Sequence, residues 1–454
     1  MENDSLTNNF YFVSLGCSKN LVDSQVMIGM LKQANAKLVG DPKIADIIIV
    51  NTCSFIDLAK EESVQTILEM ADYKNPTIGR CKGLVVAGCM VQRYAKDLEQ
   101  ELPEVDLFIG TGEYQHIVKY LEDWEKGILQ QKSFVNNPRF IHDELTPMAL
   151  STPFYMAYVK ISEGCNRNCT FCIIPSLRGK LRSRSIDSIV NECKKLANEG
   201  VKEINIISQD LSDYGNDLGI KNPLFELFKT LDTHPDLEGI QWIRPFYYYP
   251  DDLSEEMMDL FANAKRIVPY LDMPIQHFSD SILKKMNRHA TGEQIIQKIN
   301  TLREKIPSIV LRTSVIVGFP GESEEDFDTL KKGLELIRFD HVGVFRYSDE
   351  EDTPASKLKN KVPKTTTQRR YKEIYQLQKN IAKKINNKYL GQKLKVLIEG
   401  NSSQTELLLQ GRHFGQAPEI DGHILINDGY AKIGDMVEVE IEQVLEMDLL
   451  GKIC

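Results

Sequence analysis

The chain has 454 residues, of which 42% are hydrophobic and 26% are charged. This composition is typical of a folded protein of about three domains, and it excludes a disordered tail protein, a fibre or a coiled coil. The formal net charge of −10 excludes a general nucleic-acid binder. No apolar run reaches the roughly 18 residues of a membrane span and the N-terminus lacks a signal-peptide pattern, so we expect a cytoplasmic protein without membrane association.

The first predicted domain, residues 8–125, alternates apolar runs with helical patterns. Strands are predicted at FYFVSL (10–15), ADIIIV (45–50) and LVVA (84–87), each followed by a helix. Near-continuous runs rich in β-branched residues, alternating with helices, are typical of a parallel sheet that is buried on both faces. We therefore predict an open parallel α/β sheet.

One cysteine directly follows each of these three strands. Cys17, Cys53 and Cys89 are 36 residues apart in both intervals. The carboxyl edge of an open α/β sheet is where ligands bind, so the three thiols converge if the strands are neighbours. Cys81 precedes its strand and belongs at the opposite edge, and we interpret it and Cys193 as buried apolar fillers.

The second predicted domain, residues 148–383, contains six further strand patterns, most of them separated by helical stretches. This pattern predicts an incomplete (β/α) barrel, whose chemistry is expected at the carboxyl ends of the strands. Polar groups follow several of the strands, including Glu163, Gln209 and Gln276. The predicted strands are 155–161, 203–207, 240–246, 267–273, 310–317 and 342–346.

Three cysteines lie close together after the first of these strands. Cys165, Cys169 and Cys172 form a C-x3-C-x2-C pattern in one short loop. A structural zinc ion normally takes four protein ligands, and no fourth cysteine or histidine is nearby. Three thiolates on a four-iron cluster instead leave one iron open to a small molecule. We therefore favour an iron–sulfur cluster over zinc.

The third predicted domain, residues 386–454, consists of short strand patterns separated by turn residues. It predicts a small antiparallel β-barrel of OB-like size. Lys388 to Cys454 contain six Lys and Arg and eleven Asp and Glu, a net charge of −5. An RNA-binding barrel is expected to be basic, since phosphate contacts supply most of the affinity. An acidic barrel suits a basic protein partner, although its charge could also serve only to keep the protein in solution.

The cysteine loop, with Phe171 before its last cysteine, resembles the signature of the radical S-adenosylmethionine (SAM) superfamily. The resemblance implies that Cys165, Cys169 and Cys172 hold a 4Fe–4S cluster that binds and cleaves SAM. It also implies a barrel that cradles SAM. The side chains of the basic run from Arg178 to Arg184 either neutralise an anionic ligand or form a solvated face. The candidates for SAM contacts are Gln209, Arg312, Gly318 and Gln276.

Four further motifs resemble the methylthiotransferases within that superfamily. They are SLGCSKN (14–20), NTC (51–53), GCMVQR (88–93) and, in the C-terminal barrel, APEIDG (417–422), which is similar to a TRAM domain. The resemblance implies a second, auxiliary 4Fe–4S cluster on Cys17, Cys53 and Cys89. Two residues depart from the family pattern, because Ser18 replaces a common proline and Gln25 a common glutamate.

The family has two branches, one acting on the β-carbon of an aspartate in ribosomal protein uS12 and one on an adenosine of tRNA. GCSKN and MPIQH (273–277) resemble the protein branch, whereas the tRNA branch has a GCQMN-like opening and tends to have serine after the glutamine. With the acidic barrel, these motifs favour uS12 as substrate and no direct RNA binding. Flavodoxin or ferredoxin is the expected electron donor. The alternatives are the tRNA enzyme and a non-enzymatic iron–sulfur carrier.

Overall fold

The computed structural model describes residues 8–402 and 405–454. The first part of the chain forms a sheet of six strands in the order β2-β1-β3-β4-β5-β6, and every pair is parallel. The predicted parallel sheet is therefore confirmed. Its strands are β1 (Asn9–Ser14), β2 (Lys37–Leu38), β3 (Ile47–Thr52), β4 (Gly83–Gly88), β5 (Leu107–Ile109) and β6 (Ser133–Phe134).

Helices cover both faces of this sheet. Ile47 and Ile49 pack on one face with residues of α1 and α4, while Ile48 and Val50 pack on the other face with residues of α2 and α3. Both faces are apolar because successive side chains of a strand point to opposite sides. The helices are α1 (Ser18–Gln33), α2 (Asp57–Ala71), α3 (Cys89–Glu101) and α4 (Ile117–Glu125).

The central part is an open barrel made of two three-stranded parallel sheets, β11-β10-β7 and β12-β13-β14. A single bridge between Ile243 and Ile267 joins the two sheets. The gap between β7 and β14 leaves the barrel incomplete, as predicted. Its strands are β7 (Met156–Lys160), β10 (Glu203–Ile207), β11 (Trp242–Pro245), β12 (Tyr270–Asp272), β13 (Val310–Val317) and β14 (His341–Arg346); β8 (Ser162–Glu163) and β9 (Arg182–Ser183) pair with each other beside it.

Helices pack around the outside of this barrel. Ala157 and Val159 of β7 belong to the core beneath them, so Tyr158 and Lys160 point into the lumen. No helix of the described residues is long and apolar enough to cross a membrane. The helices of this part are α5 (Ile174–Arg178), α6 (Ile186–Asn198), α7 (Pro223–Thr233), α8 (Glu255–Asn263), α9 (Asp280–Lys285), α10 (Gly292–Lys305), α11 (Glu324–Ile337) and α12 (Lys364–Asn386).

The C-terminal part is a closed five-stranded barrel in the order β15-β16-β17-β19-β18. It has one strand more than the sequence predicts, at its C-terminal end. The pairing of β17 with β19 is parallel, whereas the other four pairings are antiparallel. Its strands are β15 (Lys393–Ser402), β16 (Thr405–His413), β17 (Ile424–Asp428), β18 (Met436–Val444) and β19 (Leu449–Ile453).

The C-terminal barrel closes the amino end of the central barrel. Arg412 of β16 pairs with Glu203 at 2.6 Å, and Glu203 is the first residue of β10. Asp421 accepts a hydrogen bond of 2.8 Å from the hydroxyl of Tyr270, the first residue of β12. Because strand starts define the amino end, the opposite end is left for the cysteine loops.

Candidate metal centres

The three cysteines of the first sheet lie at one edge. Strands β1, β3 and β4 are adjacent, and Cys17, Cys53 and Cys89 follow their carboxyl ends. Thr52 pairs with Gly88, so Cys53 and Cys89 continue the same register. Gly16 has a φ of +87°, and a Cβ there would lie 2.9 Å from Sγ of Cys53. Glycine is required at this position because the chain passes too close to Cys53 for any side chain.

Burial and neighbouring sulfurs raise the pKa of two of these thiols, Cys53 and Cys89. The pKa of Cys53 is raised to about 12, chiefly by burial and in addition by the sulfurs of Cys89 and Cys17. Burial also raises the pKa of Cys89, while the guanidinium of Arg178 opposes that shift. Metal binding requires thiolates, so a cationic centre between the three sulfurs would relieve the repulsion. The donor set therefore fits a thiolate-ligated metal centre.

The second set of cysteines lies in the loop that follows β8. The amide of Cys165 donates to the carbonyl of Gly179 at 3.1 Å, and the amide of Cys172 donates to the carbonyl of Cys169 at 3.1 Å. Burial raises the pKa of Cys165 to about 11 and that of Cys172 to about 12. Gly164 has a φ of +83°, and a Cβ there would lie 2.2 Å from the carbonyl oxygen of Lys180. Glycine thus allows the loop to turn against the next segment.

The spacing of the cysteines bears on the choice between zinc and a cluster. In residues 8–402 and 405–454, no group of three or more His, Cys, Asp or Glu side chains is arranged to hold a single metal ion. Thiolates around one zinc ion must all reach the same atom at about 2.3 Å. Each thiolate of a four-iron cluster binds its own iron, so the sulfurs stand further apart. Three cysteines in each set are one ligand short of a structural zinc site, whereas they suffice for a four-iron cluster with one open iron.

Two arginines and a tyrosine surround the second cysteine set, and the sequence analysis missed all three. Arg288 donates to Sγ of Cys169 at 3.8 Å. The guanidinium carbons of Arg167 and Arg288 lie 4.0 and 3.9 Å from the centre of the Tyr249 ring. The backbone amide of Arg167 also donates to Sγ of Cys165 at 3.4 Å. These donors suit an electron-rich centre, because hydrogen bonds to sulfur stabilise negative charge there.

A buried network of charges joins the two cysteine sets. Arg178, at the end of α5, donates to Sγ of Cys89 at 3.2 Å and also pairs with Asp23 of α1. Lys160 contacts Asp23 and Glu163, each at 2.5 Å. The two acids hold the pKa of Lys160 above its usual value despite complete burial. Arg178 lies in the predicted basic run, and its burial excludes a solvated face at that position.

The predicted SAM contacts lie in different parts of the barrel. Gln209 donates to Glu163 at 2.5 Å, which places it beside the cysteine loop. Gly318 follows the carboxyl end of β13, but its amide is already bound by the carboxylate of Glu322. Gln276 has a φ of +70° and pairs with Val315 near the same end. These three residues remain candidates for SAM binding.

Arg312 lies much deeper in the barrel. It pairs with Asp272 at 3.0 Å and with Asp421 of the C-terminal barrel at 3.5 Å. Arg312 lies in β13, six residues before Gly318, which follows the end of that strand. Six residues of a strand span about 20 Å. The guanidinium of Arg312 therefore joins two domains in this structure, and its contact with SAM stays a prediction.

The two cysteines interpreted as fillers are buried away from both sets. Cys193 is fully buried in the core between the central barrel and its helices. Cys81 packs in the core on one face of the first sheet, and its thiol donates to the carbonyl of Gly83 at 3.3 Å. Both therefore occupy the places expected of small apolar residues.

Three family profiles match the chain. The radical SAM superfamily matches residues 159–332, the uncharacterized protein family UPF0004 matches residues 9–110, and the TRAM domain matches residues 390–454. These ranges coincide with the central barrel, most of the first sheet and the C-terminal barrel. We therefore call the last of these the TRAM barrel.

Curated relatives share the whole length of the chain. A protein named ribosomal protein uS12 methylthiotransferase RimO from Bdellovibrio bacteriovorus is 48% identical over 98% of this chain and 97% of the relative. Proteins of the same name from Geobacter sulfurreducens and Myxococcus xanthus are each 46% identical, over 97% and 98% of this chain and 97% and 91% of the relatives.

Solved structures share the fold. The radical SAM methyltransferase TsrM from Kitasatospora setae, with cobalamin and a [4Fe-4S] cluster bound, has a TM-score of 0.55 and 13% identity over 76% of this chain and 73% of its own. The cobalamin-dependent SAM radical enzyme OxsB has a TM-score of 0.51 and 13% identity over 83% and 56%. These likenesses show the fold, whereas the radical SAM family model and the full-length relatives show the family. The chain belongs to the RimO family of radical SAM methylthiotransferases.

Proposed function

We propose that this enzyme adds a methylthio group to the β-carbon of an aspartate in ribosomal protein uS12 and uses two 4Fe–4S clusters to do so. The observation that carries the proposal is the meeting of two three-cysteine sets through one buried network. Arg178 follows the second set in sequence and binds Cys89 of the first set at 3.2 Å. Glu163, two residues before Cys165, belongs to the same network, so both sets adjoin it and we infer that they act on one substrate.

The cysteines divide into two ligand sets with different surroundings. Cys165, Cys169 and Cys172 would hold the radical SAM cluster, and Cys17, Cys53 and Cys89 the auxiliary cluster. When bound, the first cluster supplies the electron that cleaves SAM, and the second provides the place where sulfur is held for transfer. In the first set Cys53 and Cys89 are buried and Cys17 is exposed, whereas the three cysteines of the second set are partly exposed.

The chain itself must position both centres and keep water from a reactive carbon. The network of Arg178, Asp23, Lys160 and Glu163 serves the first purpose, because each of these side chains is buried and paired with another. Buried ion pairs hold a fixed geometry, since breaking one leaves an unpaired charge. Gln209 extends the network to the end of β10 through Glu163.

Three features support uS12 rather than tRNA as the substrate. The curated relatives are named as uS12 methylthiotransferases, and they align with this chain over nearly their whole length. The motifs GCSKN and MPIQH resemble the protein-modifying branch. The TRAM barrel is acidic, and its single arginine, Arg412, is fully buried, so it offers little charge for phosphate. We therefore propose a basic protein partner and no direct RNA binding.

Two further partners follow from this chemistry. SAM serves as methyl donor and as radical source, and flavodoxin or ferredoxin supplies electrons. Because uS12 is made and assembled in the cytoplasm, we propose that the enzyme acts there.

The decisive experiment measures the intact mass of uS12 from host cells that lack their own enzyme, with and without this gene. We expect a gain of one methylthio group, located on an aspartate by fragmentation. Cys53→Ala should abolish the gain, whereas Cys454→Ala, which removes an exposed cysteine outside both sets, should not. An unchanged uS12, with methylthioadenosine appearing in tRNA, would contradict the proposed substrate. The absence of any 5′-deoxyadenosine would instead indicate a carrier protein.

A further inference from the structure

Lys19 is a buried lysine that sits next to the first cysteine set. It follows Cys17 by two residues in the first turn of α1, and only 9% of its surface is exposed. Its Nζ lies 3.1 Å from the centre of the Tyr247 ring. Tyr247 follows the carboxyl end of β11 and precedes Tyr249, which contacts the arginines of the second cysteine set. Lys19 therefore connects the first cysteine set, through Tyr247, to the segment that carries Tyr249 beside the second set.

The ammonium group of Lys19 has no anionic partner. Within the described part of the chain it forms no ion pair within 4.0 Å and no side-chain hydrogen bond, only the contact with Tyr247. Lys19 also interacts electrostatically with Asp272, but the carboxylate of Asp272 is already paired with Arg312 at 3.0 Å. Burying an unpaired ammonium is costly, and charged side chains are almost never fully buried unless they are paired. An anion from outside the chain would remove this cost.

The surroundings of Lys19 add to its positive potential. Helix α1 begins at Ser18 with no acidic residue in its first turn and no side-chain cap. The positive end of the helix dipole therefore points to the same place as the ammonium. On the next turn, Val22 packs with Tyr158 and Phe246 of the barrel, which fixes this end of the helix against the lumen.

We propose that Lys19 binds the carboxylate of the substrate aspartate and so selects a protein substrate over a nucleoside. This inference rests on the proposed function, because it assigns the recognition of that substrate to one residue. An adenosine has no carboxylate, so an ammonium group at this position favours an aspartate over a nucleoside. SAM also has a carboxylate, so the test must separate the two sources.

The test is a double-mutant cycle on binding to the reconstituted holoenzyme. The ligands are a peptide containing the target aspartate of uS12 and the same peptide with asparagine in its place. Wild-type enzyme should bind the aspartate peptide about ten- to a hundredfold more tightly, as expected for a charge-assisted hydrogen bond. Lys19→Met should bind both peptides with equal, weak affinity. Lys19→Arg should keep most of the preference.

Controls distinguish local recognition from other effects. Lys32→Met removes an exposed lysine from the same helix and should behave as wild type. Iron and sulfide counts and SAM binding should be unchanged in Lys19→Met. If that variant loses SAM binding but still prefers aspartate, the carboxylate belongs to SAM and the inference is wrong. If wild-type enzyme binds neither peptide, the proposed substrate is wrong and the inference falls with it.

Discussion

Arg178 donates a hydrogen bond of 3.2 Å to Sγ of Cys89, although the two residues are 89 positions apart. Arg178 ends the short helix that follows the radical SAM cysteine loop, and Cys89 begins α3 of the first sheet. The same guanidinium pairs with Asp23. One side chain thus links the segment that follows the second cysteine set to Cys89 and Asp23 of the first domain.

Arg178→Gln should destabilise the protein by about 3–5 kcal/mol, because it leaves Asp23 and Glu163 buried with only Lys160 to balance them. The measurement is the free energy of unfolding in anaerobic denaturant titrations. The variant should also lower the reduction potential of the auxiliary cluster, since a positive donor to a ligand sulfur favours the reduced state. Lys180→Gln, an exposed neighbour, should change the stability by less than about 0.5 kcal/mol. An unchanged potential in Arg178→Gln would contradict the role at Cys89.

The two cysteine sets should separate two activities. Cys169→Ala should abolish SAM cleavage, because it removes a ligand of the cluster that supplies the electron. Cys53→Ala should retain SAM cleavage to 5′-deoxyadenosine but lose methylthiolation of uS12. Each variant should contain about half of the iron and sulfide of the wild type, as expected for one remaining cluster. Methylthiolated product from either variant would overturn the assignment of that set.

His277 should make the stability depend on pH. Burial lowers the pKa of this histidine from 6.5 to about 3, so it stays neutral in the folded protein. The unfolded chain takes up a proton near pH 6.5 and the folded chain does not, so stability is present above that pH and is lost as the pH falls towards 3. We expect a loss of about 2 kcal/mol between pH 7 and pH 5.

His277→Asn removes this titration and offers an acceptor in place of Nδ1, which accepts from the amide of Ser279 at 2.9 Å. Unfolding titrations of both proteins at pH 7 and pH 5 measure the difference. The stability of the variant should fall by about 2 kcal/mol less than that of the wild type over this range. Parallel pH profiles would mean that His277 takes up its proton in the folded protein at the same pH as in the unfolded chain, which would contradict the prediction.

Glu203 should hold the TRAM barrel to the central barrel. It is fully buried between Arg412 and Arg244, with contacts of 2.6 and 3.0 Å. Glu203→Gln leaves two arginines without their shared carboxylate and should cost about 3–5 kcal/mol. Glu438→Gln, which changes an exposed acid of the TRAM barrel, is the control. Equal unfolding free energies for the two variants would mean that the triad contributes nothing to docking.

The sequence predicts the longer buried strands well but not β2, β5 and β6, which have only two or three residues each. Runs such as IIIV in β3 combine high β-propensity with burial on both faces, so β1, β3 and β4 are each predicted to within two residues at their starts. The equal spacing of Cys17, Cys53 and Cys89 then places them at one edge. The last strand, Leu449–Ile453, was not predicted because it is short and contains a glycine. Its pairing with β17 also joins two segments that are far apart in the sequence, which a local pattern does not reveal.

The network between the cysteine sets could not be predicted in this way. Arg178 reads as part of a basic run, and a run of charges in a sequence does not reveal which members are buried. Asp23 and Lys160 are 137 residues apart and meet only because the first sheet docks against the central barrel. Lys160 nevertheless carried a signal, since a lysine stands inside an otherwise apolar strand. A lysine buried in this way needs an acidic partner, so the pattern predicts a buried Asp or Glu beside it.

The TRAM barrel covers one end of the central barrel. Arg412 and Asp421 contact Glu203 and Tyr270 at that end, which leaves the side of the cysteines and the gap between β7 and β14 for the passage of small molecules. The first sheet already occupies part of that side through Arg178 and Cys89. Under the proposed function, uS12 and SAM would then approach the cysteines from neighbouring sides, and docking of the protein would cover part of the path by which SAM is exchanged.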